Sequence, residues 1–211
     1  MKPLLSAALF LPIAWGAAQA QKFEASVFGG YPLISGAALG SISEEKPQDG
    51  DTKLKGNYAY GARLTWNTKG YYGNEVGYTF NRATLRTTLR DASGVVTLKQ
   101  DRIVIHQACY NFLIYFMPAG ERWRPFITGG MQIQRYGAPR FPEWTQGGTR
   151  NYGANYGGGL KLKLFKHALV RFDFRDYIGG KPYDLMFQDE MKSGGLFRQW
   201  EGSIGLTITF R

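Results

Sequence analysis

Histidine, cysteine and closely spaced charges are the residues of this chain that could do chemistry, and their arrangement is informative. There are two histidines, His106 and His167, and one cysteine, Cys109. Acyl transfer by a nucleophile needs a histidine within reach of a serine or thiol and oriented by an acid. His106 is followed by Gln107 and Ala108, and His167 falls in a short connection after Phe165, so neither has such a partner beside it. This points away from an enzyme. Two separated histidines and one cysteine make no metal-ligand cluster. The acidic stretch Glu44, Glu45, Asp49 and Asp51 is interleaved with Lys46, Lys53 and Lys55, which suits a solvated loop better than a cation site. No metal or cofactor is expected. An unpaired cysteine closes no internal disulfide, and Cys109 reads as a small apolar side chain.

The remaining charges have a pattern. Lys161 and Lys163, and Arg171, Asp173 and Arg175, sit at every second position, with apolar residues between them. Glu24, Arg63, Glu75 and Glu201 occupy the same parity of their own alternating runs. In a β-strand, period two places such residues on one face. The set holds four acids (Glu24, Glu75, Asp173, Glu201) and five bases (Arg63, Lys161, Lys163, Arg171, Arg175). So near a balance is what a paired network requires, although the same residues could line a pore. A further three arginines, Arg82, Arg86 and Arg90, are spaced by four. Guanidinium groups bind phosphate bidentately, so these are candidates for contacts with lipopolysaccharide; generic surface basicity would give the same spacing.

The elements that must position these residues begin after an export signal. Residues 1–20 carry Lys2, an apolar stretch from Leu4 to Trp15, and Ala18 and Ala20 in an A-x-A arrangement, so cleavage is expected before Gln21. The rest, 21–211, is expected to form one domain. The formal charge of +10 would suit a nucleic-acid partner in a cytosolic chain. For an exported one it suits lipid headgroups, and no nucleic acid is expected.

From Gln21 onward the repeating signal has period two. Eight runs alternate, near 22–31, 57–67, 71–82, 99–116, 124–136, 150–165, 168–177 and 197–210. Connections alternate long and short, the long ones near 32–56, 83–98, 137–149 and 178–196. All long loops then lie at one end. Even-numbered amphipathic strands of about ten residues predict a closed, eight-stranded antiparallel up-and-down transmembrane β-barrel. Closure pairs every backbone N–H and C=O in lipid without an apolar helix. A three-residue loop, Thr68-Lys69-Gly70, with Gly70 left-handed would pair Asn67 with Tyr71. Tyr60 then faces Tyr78, Ala62 faces Val76, and Arg63 faces Glu75. In the fourth run both parities are apolar (Leu113 and Tyr115 against Phe112 and Ile114), which predicts a bulge or an interfacial end. Aromatics near strand ends, Trp66, Tyr71, Tyr72, Trp123, Tyr136, Trp144 and Trp200, are candidates for girdles at the two headgroup levels.

The stretches FEASVFGG (Phe23 to Gly30), YGNEVGYTF (Tyr72 to Phe80), WRPFITGG (Trp123 to Gly130), NYGANYGGGLKLKL (Asn151 to Leu164), VRFDFRDY (Val170 to Tyr177) and EGSIGLTITF (Glu201 to Phe210), in that order, resemble the OmpA-like family of eight-stranded outer-membrane barrels. The resemblance implies location in the Gram-negative outer membrane, assembly by the barrel-assembly machinery, contact with outer-membrane lipids and lipopolysaccharide, and no enzymatic activity. The family's terminal aromatic is here Phe210, followed by Arg211. Some eight-stranded barrels resemble lipid A deacylases, whose His-x-Ser is not present at His106. The expected role is structural, or adhesive through long outer loops toward an extracellular ligand that the sequence does not name. The alternatives are a small porin-like channel, and a soluble carrier of the lipocalin type. The carrier would need the charged parity outside.

Overall fold

The structure, a computed structural model, describes residues 22–35, 39–42, 51–90, 93–144, 147–183, 185–187, 190–192 and 195–210. The expected signal segment, Glu44, Glu45, Asp49 and Arg211 lie outside these residues, as does the side chain of Arg90.

Every described regular element is a strand. Eight long ones, β1 (Lys22–Ile34), β2 (Thr52–Thr68), β3 (Tyr72–Arg90), β4 (Val96–Tyr115), β5 (Trp123–Tyr136), β6 (Thr149–Phe165), β7 (Ala168–Gly180) and β10 (Leu196–Phe210), close into one antiparallel ring. The small hairpin β8 (Leu185–Phe187) and β9 (Glu190–Lys192) sits in the last long connection. Closure is made by β1 against β10, with Phe23 opposite Phe210 and Ile34 opposite Gln199. Period two becomes two environments. Val27, Leu64, Val76, Met131, Phe174 and Leu206 are exposed on the outer wall, while Glu24, Arg63, Glu75, Lys161, Arg171 and Arg175 are buried inside.

Three expectations are corrected. The first hairpin pairs Thr68 with Tyr72, so Tyr60 faces Phe80, Ala62 faces Tyr78, and Glu75 faces Thr65. This is two residues from the expected register, because Lys69 joins Gly70 in the left-handed region (φ 51° and 76°) and Tyr71 becomes part of the turn. A slip of two keeps every side chain on its face. Arg63 and Glu75 therefore remain inside but are not cross-strand neighbours. Second, of the bulge or interfacial end expected in the fourth run, the bulge is absent: β4 is regular up to its end at the short connection 116–122, and there Leu113 and Tyr115 point inward and pack with Phe126. The irregularities are instead at Gly56/Tyr58 and Lys163/Phe165. Third, the segment 83–98 is mostly strand, since β3 and β4 pair as far as Arg90 with Val96. Ala83, Leu85, Ile103 and Ile105 continue the inward parity and fill the outer end of the barrel.

Lys69 offers a direct check of the turn. A left-handed conformation costs a residue with a Cβ roughly 1–2 kcal/mol, less for asparagine, so Lys69→Asn is expected to gain about 0.5–1 kcal/mol. The readout is the urea midpoint of the refolded barrel.

Candidate functional site

The inward parity builds three layers. At the centre, Asp173 of β7 is held by three arginines. Arg171 donates from Nε and NH2 to its two oxygens (2.8 Å each), Arg63 NH1 donates to Oδ2 (3.0 Å), and Arg175 NH2 donates to Oδ1 (3.0 Å). Glu75 takes the remaining reach of the same side chains, from Arg171 NH1 at 2.5 Å and Arg175 NH2 at 2.7 Å, with Thr65 donating from its hydroxyl at 3.1 Å. Glu201 faces Arg63 at 3.5 Å, without hydrogen-bond geometry. Three guanidinium groups thus meet three carboxylates, all buried.

Glycines make the space for this layer. Phe28 on β1 lies opposite Gly61 on β2 and Gly205 on β10, and its ring covers Gly61. Arg63 then lies over that ring, 3.6 Å from its centroid. On the other side Phe126 covers Gly159 and supports Arg171 at 4.7 Å. Cation–π contact and aromatic shielding of glycine both favour this arrangement.

Toward the short turns a second layer forms around Glu24. Lys161 donates to Glu24, as does Asn67 Nδ2 (2.8 Å), and Arg124 approaches at 3.7 Å. Lys161 also donates to the Tyr115 hydroxyl (2.7 Å), and Arg124 lies 3.4 Å from that ring's centroid while its NH2 donates to Gly70 O (2.6 Å). A recess of about 60 Å³ leads in from this end and is lined by Glu24, Arg124 and Lys161. At the outer end an apolar cap closes the barrel, built from Leu39, Leu54, Leu85, Ile103, Ile105, Tyr136, Trp144, Tyr183 and Phe197. Tyr183, in the connection after β7, donates to Gly137 O (2.6 Å), and burial pushes its phenol above the ordinary range. On the rim, a hydrogen bond from the Lys99 ammonium holds the Glu143 carboxyl below its usual range.

All nine charges assigned to the interior by parity lie on the inward face. Eight are buried, and Lys163, still in register opposite Leu169, is exposed at the short-turn mouth, where it lines the same recess as Glu24, Arg124 and Lys161 and donates to Gly120 O (3.3 Å). Arg124 was missed, although it shares the inward parity of Phe126 and Thr128. Two aromatic girdle candidates are also corrected. Tyr136 and Trp144 are buried in the cap, since Tyr136 carries the inward parity of β5 and Trp144 packs edge-on against Tyr183. Tyr71, Tyr72 and Trp123 are exposed at the short-turn end, and Tyr31, Tyr58, Tyr60, Tyr78, Tyr152 and Tyr156 on the outer wall. His106 is on the outer wall as well, bonded to the Tyr78 hydroxyl (2.5 Å), and His167 is in the turn 166–167.

Arg82 and Arg86 project from the outer wall of β3. They meet Arg102 of β4, whose partner Thr84 lies between them, and Arg140 from the stretch after β5. Together with Gln100, Asp101 and Val104 they line an open cleft of about 590 Å³. Arg102 and Arg140 carried no signal of this grouping in the sequence; the pairing of β3 with β4 creates it.

No protein-family model and no curated protein matches the sequence. Among solved structures the chain is similar to the N-terminal β-barrel domain of OprF from Pseudomonas aeruginosa (13% identity, TM-score 0.55, covering 90% of this chain and 97% of that one). It is similar to the outer membrane protein OprG of the same organism (13%, 0.55, 91% and 97%). It is also similar to Ail, the attachment invasion locus protein of Yersinia pestis, solved with the heparin analogue sucrose octasulfate (8%, 0.51, 91% and 100%). These likenesses span the whole ring of strands, and the chain has the fold of the eight-stranded outer-membrane β-barrels.

Proposed function

We propose that this chain is an integral protein of the Gram-negative outer membrane whose barrel is a closed anchor. Its structural, adhesive or recognition role then lies with the outer connections. Export by the residues 1–20 signal, assembly by the barrel-assembly machinery and absence of enzymatic activity belong to the same reading. The outer wall supports membrane insertion: apolar and aromatic side chains are exposed on all eight strands, a surface that lipid and not water satisfies. It also disfavours the soluble carrier, whose apolar face would be inside. The placement of His106 on the outer wall, bonded to the Tyr78 hydroxyl and edge-on to Phe80, and of His167 in a turn supports a non-catalytic role.

The observation that carries the closed-barrel reading is the stacking of the apolar cap, the six-charge cluster and the Glu24 layer along one lumen. Eight strands leave an interior that side chains can fill. A permeating ion would have to displace the cap as well as separate paired charges. The porin-like channel is therefore the second reading, favoured only by the recess that reaches Glu24. Planar-bilayer recording of the refolded protein decides between them. The expected result is a silent bilayer for the wild type, with insertion verified independently. Steady conductance that changes in Arg63→Ala and Glu75→Ala would establish the channel instead.

A further inference from the structure

The outer wall above the aromatic belt is strongly basic on one side of the barrel. Lys53 and Lys55 of β2, Arg82 and Arg86 of β3, Arg102 of β4, and Arg135 of β5 all lie on outward positions. Four guanidinium groups converge on the cleft between β3, β4 and the 137–140 stretch. Its one carboxylate, Asp101, is already engaged by backbone: Arg102 N–H donates to Oδ1 (2.7 Å) and Arg140 N–H donates to Oδ2 (2.6 Å). Asp101 thus fixes the cleft and offsets one of its four positive charges, while pairing directly with none of the guanidinium groups. None of the four guanidinium groups has a carboxylate within 4.0 Å among the described residues, and the buried Arg82 Nε makes no hydrogen bond there. Like charges held together repel unless a polyanion joins them.

The direction of the cleft identifies the source of that polyanion. The inward residues of the same stretch, Ala83, Leu85, Ile103 and Ile105, belong to the closed cap, so the cleft opens sideways from the wall. Immediately toward the barrel centre, the same outer faces carry Phe80, Tyr78 and Tyr60. The change from aromatic to arginine falls between Phe80 and Arg82, a single outward step, which is where a membrane surface meets its headgroups. Arg82 to Arg86 spans about 13 Å along the strand, enough to engage more than one anionic group.

We propose that this cleft binds the phosphorylated sugar headgroup of a glycolipid of the outer leaflet, with Arg82, Arg86, Arg102 and Arg140 as phosphate ligands. The inference rests on the membrane reading above and adds a specific lipid site to it. Lipopolysaccharide has this chemistry; a soluble sulfated or phosphorylated saccharide shares it without the acyl chains.

The test uses the chain from Gln21 onward refolded in detergent, with heat-modifiable migration verifying the fold of each variant. Native mass spectrometry titrates three probes: bisphosphorylated lipid A, the same glycolipid without its phosphates, and sucrose octasulfate. The expected result is a preference of about tenfold or more for the bisphosphorylated lipid, as bidentate arginine–phosphate pairing predicts. Replacing Arg82, Arg102 and Arg140 together by lysine keeps the charge and abolishes most of that preference; Arg102→Lys alone serves if the triple variant does not fold. Lys163→Ala with Lys166→Ala, at the opposite end, leaves the preference intact. Equal binding of the two glycolipids, or a preference that survives the lysine variants, overturns the proposal. Tight binding of sucrose octasulfate without discrimination between the lipids overturns it in favour of a soluble polyanion. A protein that prefers the phosphorylated lipid but conducts in bilayers would lose the closed-barrel reading and keep this site.

Discussion

Asp173→Ala lowers the unfolding free energy of the refolded barrel by about 3–5 kcal/mol, the cost of leaving buried charge without its partner. Asp173 is the one carboxylate that touches all three central arginines. Without it, Arg63, Arg171 and Arg175 face only Glu75 and Glu201, which lies 3.5 Å from Arg63 without a hydrogen bond, and three guanidinium groups are left with two carboxylates in the buried interior. Asp173→Asn preserves the shape and should cost nearly as much, because the charge and not the volume holds the guanidinium groups. Equilibrium urea unfolding followed by tryptophan fluorescence measures both. Arg171→Ala combined with Asp173→Ala should cost less than the two single changes summed, since Arg171 grips Asp173 through two nitrogens. A loss below about 1 kcal/mol in Asp173→Ala, the level of an exposed pair, would mean that water reaches the cluster and the lumen is not closed.

Phe197→Ala costs about 3–5 kcal/mol as well, for a different reason: it opens a void in the apolar cap. Phe197 is buried at the outer end of β10, edge-on to Tyr136 with centroids 6.3 Å apart, and Tyr136 in turn meets Tyr183 and through it Trp144. The ring sits between strands that cannot close up, because their spacing is fixed by the ladder of the ring. Ile204→Ala, on the outer wall of the same strand, is the contrast. Its neighbours are lipid or detergent, which fill the space that the shorter side chain leaves, so its loss should be clearly smaller. Similar losses at the two positions would show that the cap contributes no packing of its own.

The alternation of Arg171, Asp173 and Arg175 with Phe172 and Phe174 was sufficient to place both sets on opposite faces, since side chains of a strand alternate whatever its partners are. It could not say which acid meets which base. Arg63 and Glu75 belong to paired strands, β2 and β3, yet their hydrogen-bonded ion-pair partners come from β7: Asp173 for Arg63, and Arg171 and Arg175 for Glu75. Those contacts cross the lumen, and sequence spacing carries no information about them. Phe28 and Phe126 were legible as inward-facing only by parity, and their use became clear when pairing put Gly61 and Gly159 opposite them. The same limit applies outside, where Arg82 and Arg86 were visible four residues apart but Arg102 and Arg140 were not.

By itself, then, the sequence determined the strand character, the number of ring strands and the two faces of the barrel. These follow from local alternation and turn residues, which act within a few positions. Tertiary structure alone decided the registers, the partners of each buried charge, the extension of β3 to Arg90 and of β4 back to Val96, the burial of Trp144 in the cap, and the grouping of four arginines around one cleft. Each of these depends on closing a ring, which brings residues more than a hundred positions apart, such as Glu24 and Lys161, into contact at once.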